Sequence, residues 1–239
     1  MKVDILAFGS HPDDVELGCG GSILSAISQG LKVGIIDLTK GELGTRGTPE
    51  IRKKESEKAS EILGVSFRKN LGFKDGFFIN DKEHQLKVVE VLREHKPSII
   101  FCNAVKDRHI DHPKGSKLVS DSCFLSGLSK INTNYKNSKN QLPWTPKQIY
   151  HYIQWFDLKP NILIDISEFQ EKKIKAIMAY KSQFYNPKST EPNTPISSKS
   201  FIDSIKQRDQ NFGRISGVDV AEGFTVEKPP VVKDIKGIM

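Results

Sequence analysis

The sequence predicts an α/β fold, a doubly wound and mostly parallel sheet with helices on both faces. Three observations predict it. Strand and helix patterns alternate through the first two-thirds of the 239 residues. The strands are short apolar runs rather than alternating ones, the pattern of strands buried on both faces. No internal repeat or linker divides the chain, so residues 1–239 are expected as one domain.

Taken in order, Val3-Asp4-Ile5-Leu6-Ala7-Phe8 reads as a first strand. Residues 20–29 read as a helix with Ile23, Leu24 and Ile27 on one face, closed by Gly30. A second strand is expected over 31–38. A charged helix over 49–63 carries Ile51, Ala59, Ile62 and Leu63 and ends at Gly64. Residues 65–71 form a third strand, 83–95 a helix stopped before Pro97, and 98–102 a fourth strand. Pro113 suits the first position of a helix running to about Leu125. The Asn-, Ser-, Lys- and Pro-rich segments 129–147 and 186–200 are expected as loops. Late strands are expected over 148–153 and 161–166. Ser167-Glu168-Phe169-Gln170 has the spacing of a capping box opening a helix to about Lys181. A last helix spans about 200–211. Such strand–helix alternation is Rossmann-like, and its ligands bind at the carboxyl ends of the strands.

Composition narrows the function. Net charge is +7, from 36 basic and 29 acidic residues. The lysines are scattered, and there is no arginine-rich arm or aromatic-laced basic stripe, so no nucleic-acid partner is expected. No run approaches the roughly 18 apolar residues of a membrane span. Asp4 interrupts what would be the apolar stretch of a signal peptide, which suggests a cytoplasmic protein. Cys19, Cys102 and Cys123 are odd in number and widely spaced, which fits core packing rather than disulfides or a CxxC zinc site.

Two clusters carry chemistry. Gly9-Ser10-His11-Pro12-Asp13-Asp14 follows the first strand, and Lys106-Asp107-Arg108-His109-Ile110-Asp111-His112 follows the fourth. Either alone could be turn and cap chemistry. Two such clusters at strand carboxyl ends point instead to convergent titratable groups. Two histidines and one carboxylate with an open position make up many catalytic zinc centres. His11 and Asp14, three residues apart, can reach one ion, and His112 can supply the third ligand. Asp13 and His109 are then left beside the metal as base and donor.

His11-Pro12-Asp13-Asp14 together with His109-Ile110-Asp111-His112 resembles the paired motifs of the LmbE-like (PIG-L) zinc N-deacetylases, which act on N-acetylglucosamine conjugates. The resemblance extends through Gly41-Glu42, Arg52-Lys53-Lys54-Glu55, the Asp75 segment, Tyr180-Lys181-Ser182-Gln183-Phe184-Tyr185 and Ala221-Glu222-Gly223-Phe224. Within the family the chain is similar to the deacetylases of bacillithiol biosynthesis, which remove acetate from N-acetylglucosaminyl malate. The resemblance implies His11, Asp14 and His112 as ligands of one Zn2+ per subunit, Asp13 as general base and His109 as oxyanion donor or acid. Asp111 would orient an imidazole. Arg52 would bind the sugar and Asp75 contact it. Arg46 and Arg108 are further cationic candidates near the same edge, and Tyr185 or Tyr180 is a candidate to close over the site. The resemblance further implies a homo-oligomer, a hexamer in the family. Two His and one Asp also suit Fe2+. The alternatives are a deacetylase of another N-acetylglucosamine conjugate or small acetamide, and a non-catalytic metal- or nucleotide-binding module. The second lacks a GxGxxG or P-loop motif.

Overall fold

Ile5–Gly9 forms β1, and all five of its residues are buried because it lies inside the sheet. This is a computed structural model, and it describes residues 1–135, 138–139, 141–232 and 234. The chain runs β1, α1 (Asp14–Ser28), β2 (Val33–Thr39), α2 (Pro49–Leu63), β3 (Phe67–Phe73), α3 (Lys82–His95), β4 (Ile99–Cys102) and α4 (Asp111–Ser126). Then come β5 (Asn134–Tyr135), β6 (Ser138–Lys139), β7 (Gln148–Tyr152), β8 (Ile162–Asp165), α5 (Gln170–Ile177), α6 (Lys199–Ser216) and β9 (Ala221–Val226).

Seven strands form one sheet in the order β3-β2-β1-β4-β7-β9-β8. The first five are parallel, while β9 is antiparallel to both β7 and β8. Alternate residues of β1 serve different cores, as a strand's period of two requires. Leu6 and Phe8 pack with Val88, Leu92, Leu118 and Val119 of α3 and α4. Ile5 and Ala7 pack on the other face with Val15, Ile23 and Leu63 of α1 and α2, and with Ala176 of α5. Two apolar faces explain the unbroken apolar run. The order reverses at β1 and β4, and the crevice between their carboxyl ends is where such sheets bind ligands.

Several boundaries differ from expectation. α1 starts at Asp14, six residues early, and is kinked at Cys19. α4 starts at Asp111, which puts His112 in its first turn. The Ser167 capping box is not formed, because the Ser167 hydroxyl donates to Asp165 instead; α5 begins at Gln170 and ends at Ile177. β9 was not expected at all. In segment 129–147 the two-residue strands β5 and β6 pair antiparallel, and residues 136, 137 and 140 lie outside the described residues. So do residue 233 and residues 235–239 of the expected single domain. All three cysteines are free and buried. Among the described residues no helix is long and apolar enough to cross a membrane.

Candidate metal centre and its cavity

The two sequence clusters meet at the switch point. Asp13 occupies the turn into α1 with φ 115°, a left-handed backbone that a non-glycine residue adopts at a cost of about 1–3 kcal/mol. Arg52 of α2 clamps that turn. Its Nη2 donates to the Pro12 carbonyl at 2.5 Å and to Asp13 Oδ2 at 2.9 Å, and its Nη1 donates to the Gly41 carbonyl at 3.3 Å. Gly41 has to be glycine: its φ is +65°, and a Cβ there would lie 1.9 Å from the guanidinium. Arg52 Nε is buried without a hydrogen-bond partner among the described residues, and the residue lines the cavity.

Asp14 sits between two imidazoles. His11 Nδ1 is 3.5 Å from one carboxylate oxygen, and His112 Nε2 is 3.1 Å from the other. Zinc bonds of about 2.0–2.1 Å in a tetrahedron separate ligand atoms by about 3.3 Å, close to the 3.1 Å between His112 Nε2 and Asp14 Oδ1, and His11 Nδ1 faces the same carboxylate, so this donor set fits a cation of that size. The outer nitrogens fit as well. His11 Nε2 faces Asp75 at 3.0 Å and Asp111 at 3.5 Å, and His112 Nδ1 faces Asp107 at 3.3 Å. Carboxylates on the far nitrogen orient metal-binding histidines and raise their basicity. Nitrogens of His11, His109 and His112 also lie within 4.8 Å of one another, as do donor atoms of His11, Asp75 and Asp111.

Burial raises the Asp13 carboxyl to about 7, against the downward pull of Arg52. Burial likewise lowers His109 to about 4, helped by the neighbouring His11 and His112, so its imidazole is neutral. The Asp111 backbone N–H donates to His109 Nδ1 at 3.3 Å, which leaves the proton on Nε2. The Asp111 backbone, not its carboxylate, thus orients His109. The carboxylate accepts from the Gly76 N–H at 2.7 Å and from Lys114 at 3.1 Å, and faces His11.

These groups floor a cavity of about 580 Å³ whose wall includes Leu43, Ile110, Trp155, Ile196, Phe201 and Ile205. His11, Asp13, Asp14, Arg52, Asp75, Arg108, His109 and His112 all line it. Asp75 uses one oxygen on His11 and the other on the Leu43 N–H. Arg108 packs its guanidinium over the Trp155 ring at 4.5 Å and makes no hydrogen bond or ion pair among the described residues. Three candidates lie elsewhere. Arg46 is spent on Ser189 and Glu191 of the 186–200 loop. Tyr180 is fully buried with its hydroxyl on Glu16. Tyr185 is exposed and outside the cavity lining. Asp107, Asn103, Gln154, Trp155 and Arg208 were not anticipated. Asp107 lay within the second cluster and could have been weighed, whereas the others are single residues in no motif.

The GlcNAc-PI de-N-acetylase (PIG-L) family matches residues 6–123. Diacetylchitobiose deacetylase of Thermococcus kodakarensis is 30% identical over 190 residues, 75% of this chain and 70% of the relative. A probable N-acetyl-alpha-D-glucosaminyl L-malate deacetylase 2 of Bacillus anthracis is 25% identical over 199 residues, 75% of this chain and 81% of that one. The crystal structure of the conserved protein TT1542 from Thermus thermophilus superposes with a TM-score of 0.85 at 36% identity, covering 98% of both chains.

Proposed function

The chain belongs to the GlcNAc-PI de-N-acetylase (PIG-L) family, and from that premise we propose that it is a zinc-dependent N-deacetylase acting on N-acetylglucosaminyl malate, the deacetylation step of bacillithiol biosynthesis. One observation carries the reading. A buried carboxylate, Asp14, is set between two imidazoles that are each backed by a carboxylate, while Asp13 and His109 stand beside them uncommitted to that set.

His11, Asp14 and His112 would hold the cation. A divalent metal bound there supplies Lewis-acid polarisation of the acetamide carbonyl and lowers the pKa of water. Asp13 takes the proton of the attacking water. Its Oδ2 is held by Arg52, and its Oδ1 has no protein partner among the described residues. With a carboxyl raised to about 7, it accepts a proton near neutrality and can return it to the departing amine. Neutral His109 donates from Nε2 to the developing oxyanion. Arg52 holds Asp13 through Nη2 and lines the cavity, where it would contact the sugar. Zinc is preferred because the His2Asp set is that of hydrolytic zinc centres; the same donors also accept iron.

Arg108 supports the malate conjugate. A guanidinium over the Trp155 ring, with no acidic partner among the described residues, suits a carboxylate on the aglycone. The 30% identity to a diacetylchitobiose deacetylase supports a neutral disaccharide as the second reading. Comparing kcat/KM for N-acetylglucosaminyl malate, diacetylchitobiose and N-acetylglucosamine decides between them. The malate conjugate should lead by about 10-fold or more, since a charge-assisted hydrogen bond contributes roughly 1.5–3 kcal/mol. A lead for the disaccharide overturns the malate assignment and keeps the deacetylase.

A further inference from the structure

Asp14 is not free to choose how it presents its carboxylate. Oδ2 accepts from the His11 backbone N–H at 2.9 Å and from Asn103 Nδ2 at 3.0 Å, and Oδ1 accepts from Gln154 Nε2 at 3.0 Å. A carboxylate offers about four acceptor positions, two on each oxygen. Oδ2 is therefore filled and Oδ1 keeps one position, on the atom 3.1 Å from His112 Nε2.

Neither amide can turn over. Asn103 Oδ1 accepts from the Ser10 backbone N–H at 2.8 Å, and a backbone N–H can only donate. That bond fixes Asn103 Nδ2 towards Asp14 and towards Gln154 Oε1, which lies 2.9 Å away. With Oε1 committed, Gln154 has only its Nε2 to offer Asp14. The donors are thus set in one direction from the end of β1 to the carboxylate.

The frame behind them is equally fixed. Asn103 follows β4 and Gln154 follows β7, two adjacent parallel strands that pair Cys102 with His151. The Gln154 carbonyl accepts from Arg208 Nη1 at 2.6 Å, and Arg208 Nη2 donates to the Leu17 carbonyl at 2.7 Å. Arg208 also pairs with Asp209, which buried Lys173 holds from α5. Asn103 is 1% exposed and Gln154 9%, so water does not compete strongly for these bonds.

We propose that Asn103 and Gln154 are positioning residues of the metal centre: with the His11 backbone N–H, their carboxamides fill three of the four acceptor positions of Asp14 so that a single lone pair of Oδ1 remains for the cation, and Asp14 binds through that one oxygen. This rests on the metal-centre reading above.

The test uses the full chain, stripped of metal and reloaded with Zn2+ or Co2+. Gln154→Met keeps the side chain's length and removes its donor. Zinc affinity, measured by competition with a chromophoric chelator, should fall about 10- to 100-fold, the range for lost outer-sphere support. The visible spectrum of the cobalt form should shift, while the unfolding midpoint of the metal-free variant stays near that of the metal-free parent. A variant that binds zinc within about twofold of the parent, far inside that range, with an unchanged cobalt spectrum overturns the positioning role. A crystal structure of the zinc-loaded parent tests the same point without any substitution: Asp14 bound through Oδ1 alone supports it, and Asp14 bound through both oxygens overturns it. A parent that binds neither metal overturns the metal-centre reading itself.

Discussion

Asp13 combines three features that packing alone does not explain: a left-handed backbone, near-complete burial and an arginine clamp on both its carboxylate and the preceding carbonyl. Strain of this kind persists where the surroundings over-determine it, and it collects at functional positions. Asp13→Asn should therefore retain zinc and lose about 100- to 10,000-fold in turnover, the contribution of a positioned general base. Loss of metal in that variant would exchange the roles of Asp13 and Asp14. Arg108→Ala should lower kcat/KM for a carboxylate-bearing conjugate by about 10-fold and leave N-acetylglucosamine nearly unchanged. Equal losses on both substrates would place Arg108 on the sugar instead. At this scale the sequence was informative wherever reactive residues were contiguous. His11 to Asp14 and His109 to His112 are two short runs, each carried whole to the crevice by one strand end. The supports of those residues were not legible. Asn103, Gln154 and Trp155 each stand in ordinary strand-end sequence, and only the sheet brings them to Asp14 or Arg108.

Helix α1 shows why an element's boundary misleads. Its apolar periodicity begins after the kink at Cys19, so residues 20–29 alone look helical in sequence. The preceding turn from Asp14 is held by tertiary contacts. Gly18 lies against Tyr152, where a Cβ would be 2.1 Å from the ring, and the Tyr152 hydroxyl donates to the Phe8 carbonyl. The kink frees the N–H groups of Gly21 and Ser22, and Glu222 of β9 accepts both, at 2.9 Å and 2.7 Å. Lys173 in turn pairs with Glu222 at 2.8 Å. This gives β9 its role: a strand that sequence periodicity did not reveal carries the carboxylate that caps the second half of α1. Glu222→Ala should destabilise the fold by about 3–5 kcal/mol in urea unfolding, because it leaves two N–H groups and the Ser22 hydroxyl without their acceptor and takes from buried Lys173 one of its two carboxylates, the other being Asp209. A loss below about 1 kcal/mol, the scale of an exposed pair, would mean that water replaces the carboxylate.

At the scale of the whole molecule, function follows from strand order. The reversal at β1 and β4 opens the crevice, β1 delivers Asp13 and Asp14, and β4 delivers His109 and His112. The doubly wound class was legible because the central parallel strands β1, β2 and β4 are largely apolar on both faces. The antiparallel end of the sheet was not, since β9 is six residues containing Glu222 and Gly223 and pairs with strands far from it in sequence. The most direct test of the account is a zinc titration of the metal-free protein, followed by acetate release from N-acetylglucosaminyl malate. Acetate release should be at background without metal, rise in proportion to added zinc and saturate at one equivalent per chain. His112→Ala should fail to reach that plateau at the same zinc concentration. Hydrolysis that proceeds at full rate in the metal-free protein, or a zinc-saturated protein that releases no acetate from any N-acetylglucosamine conjugate, would contradict it.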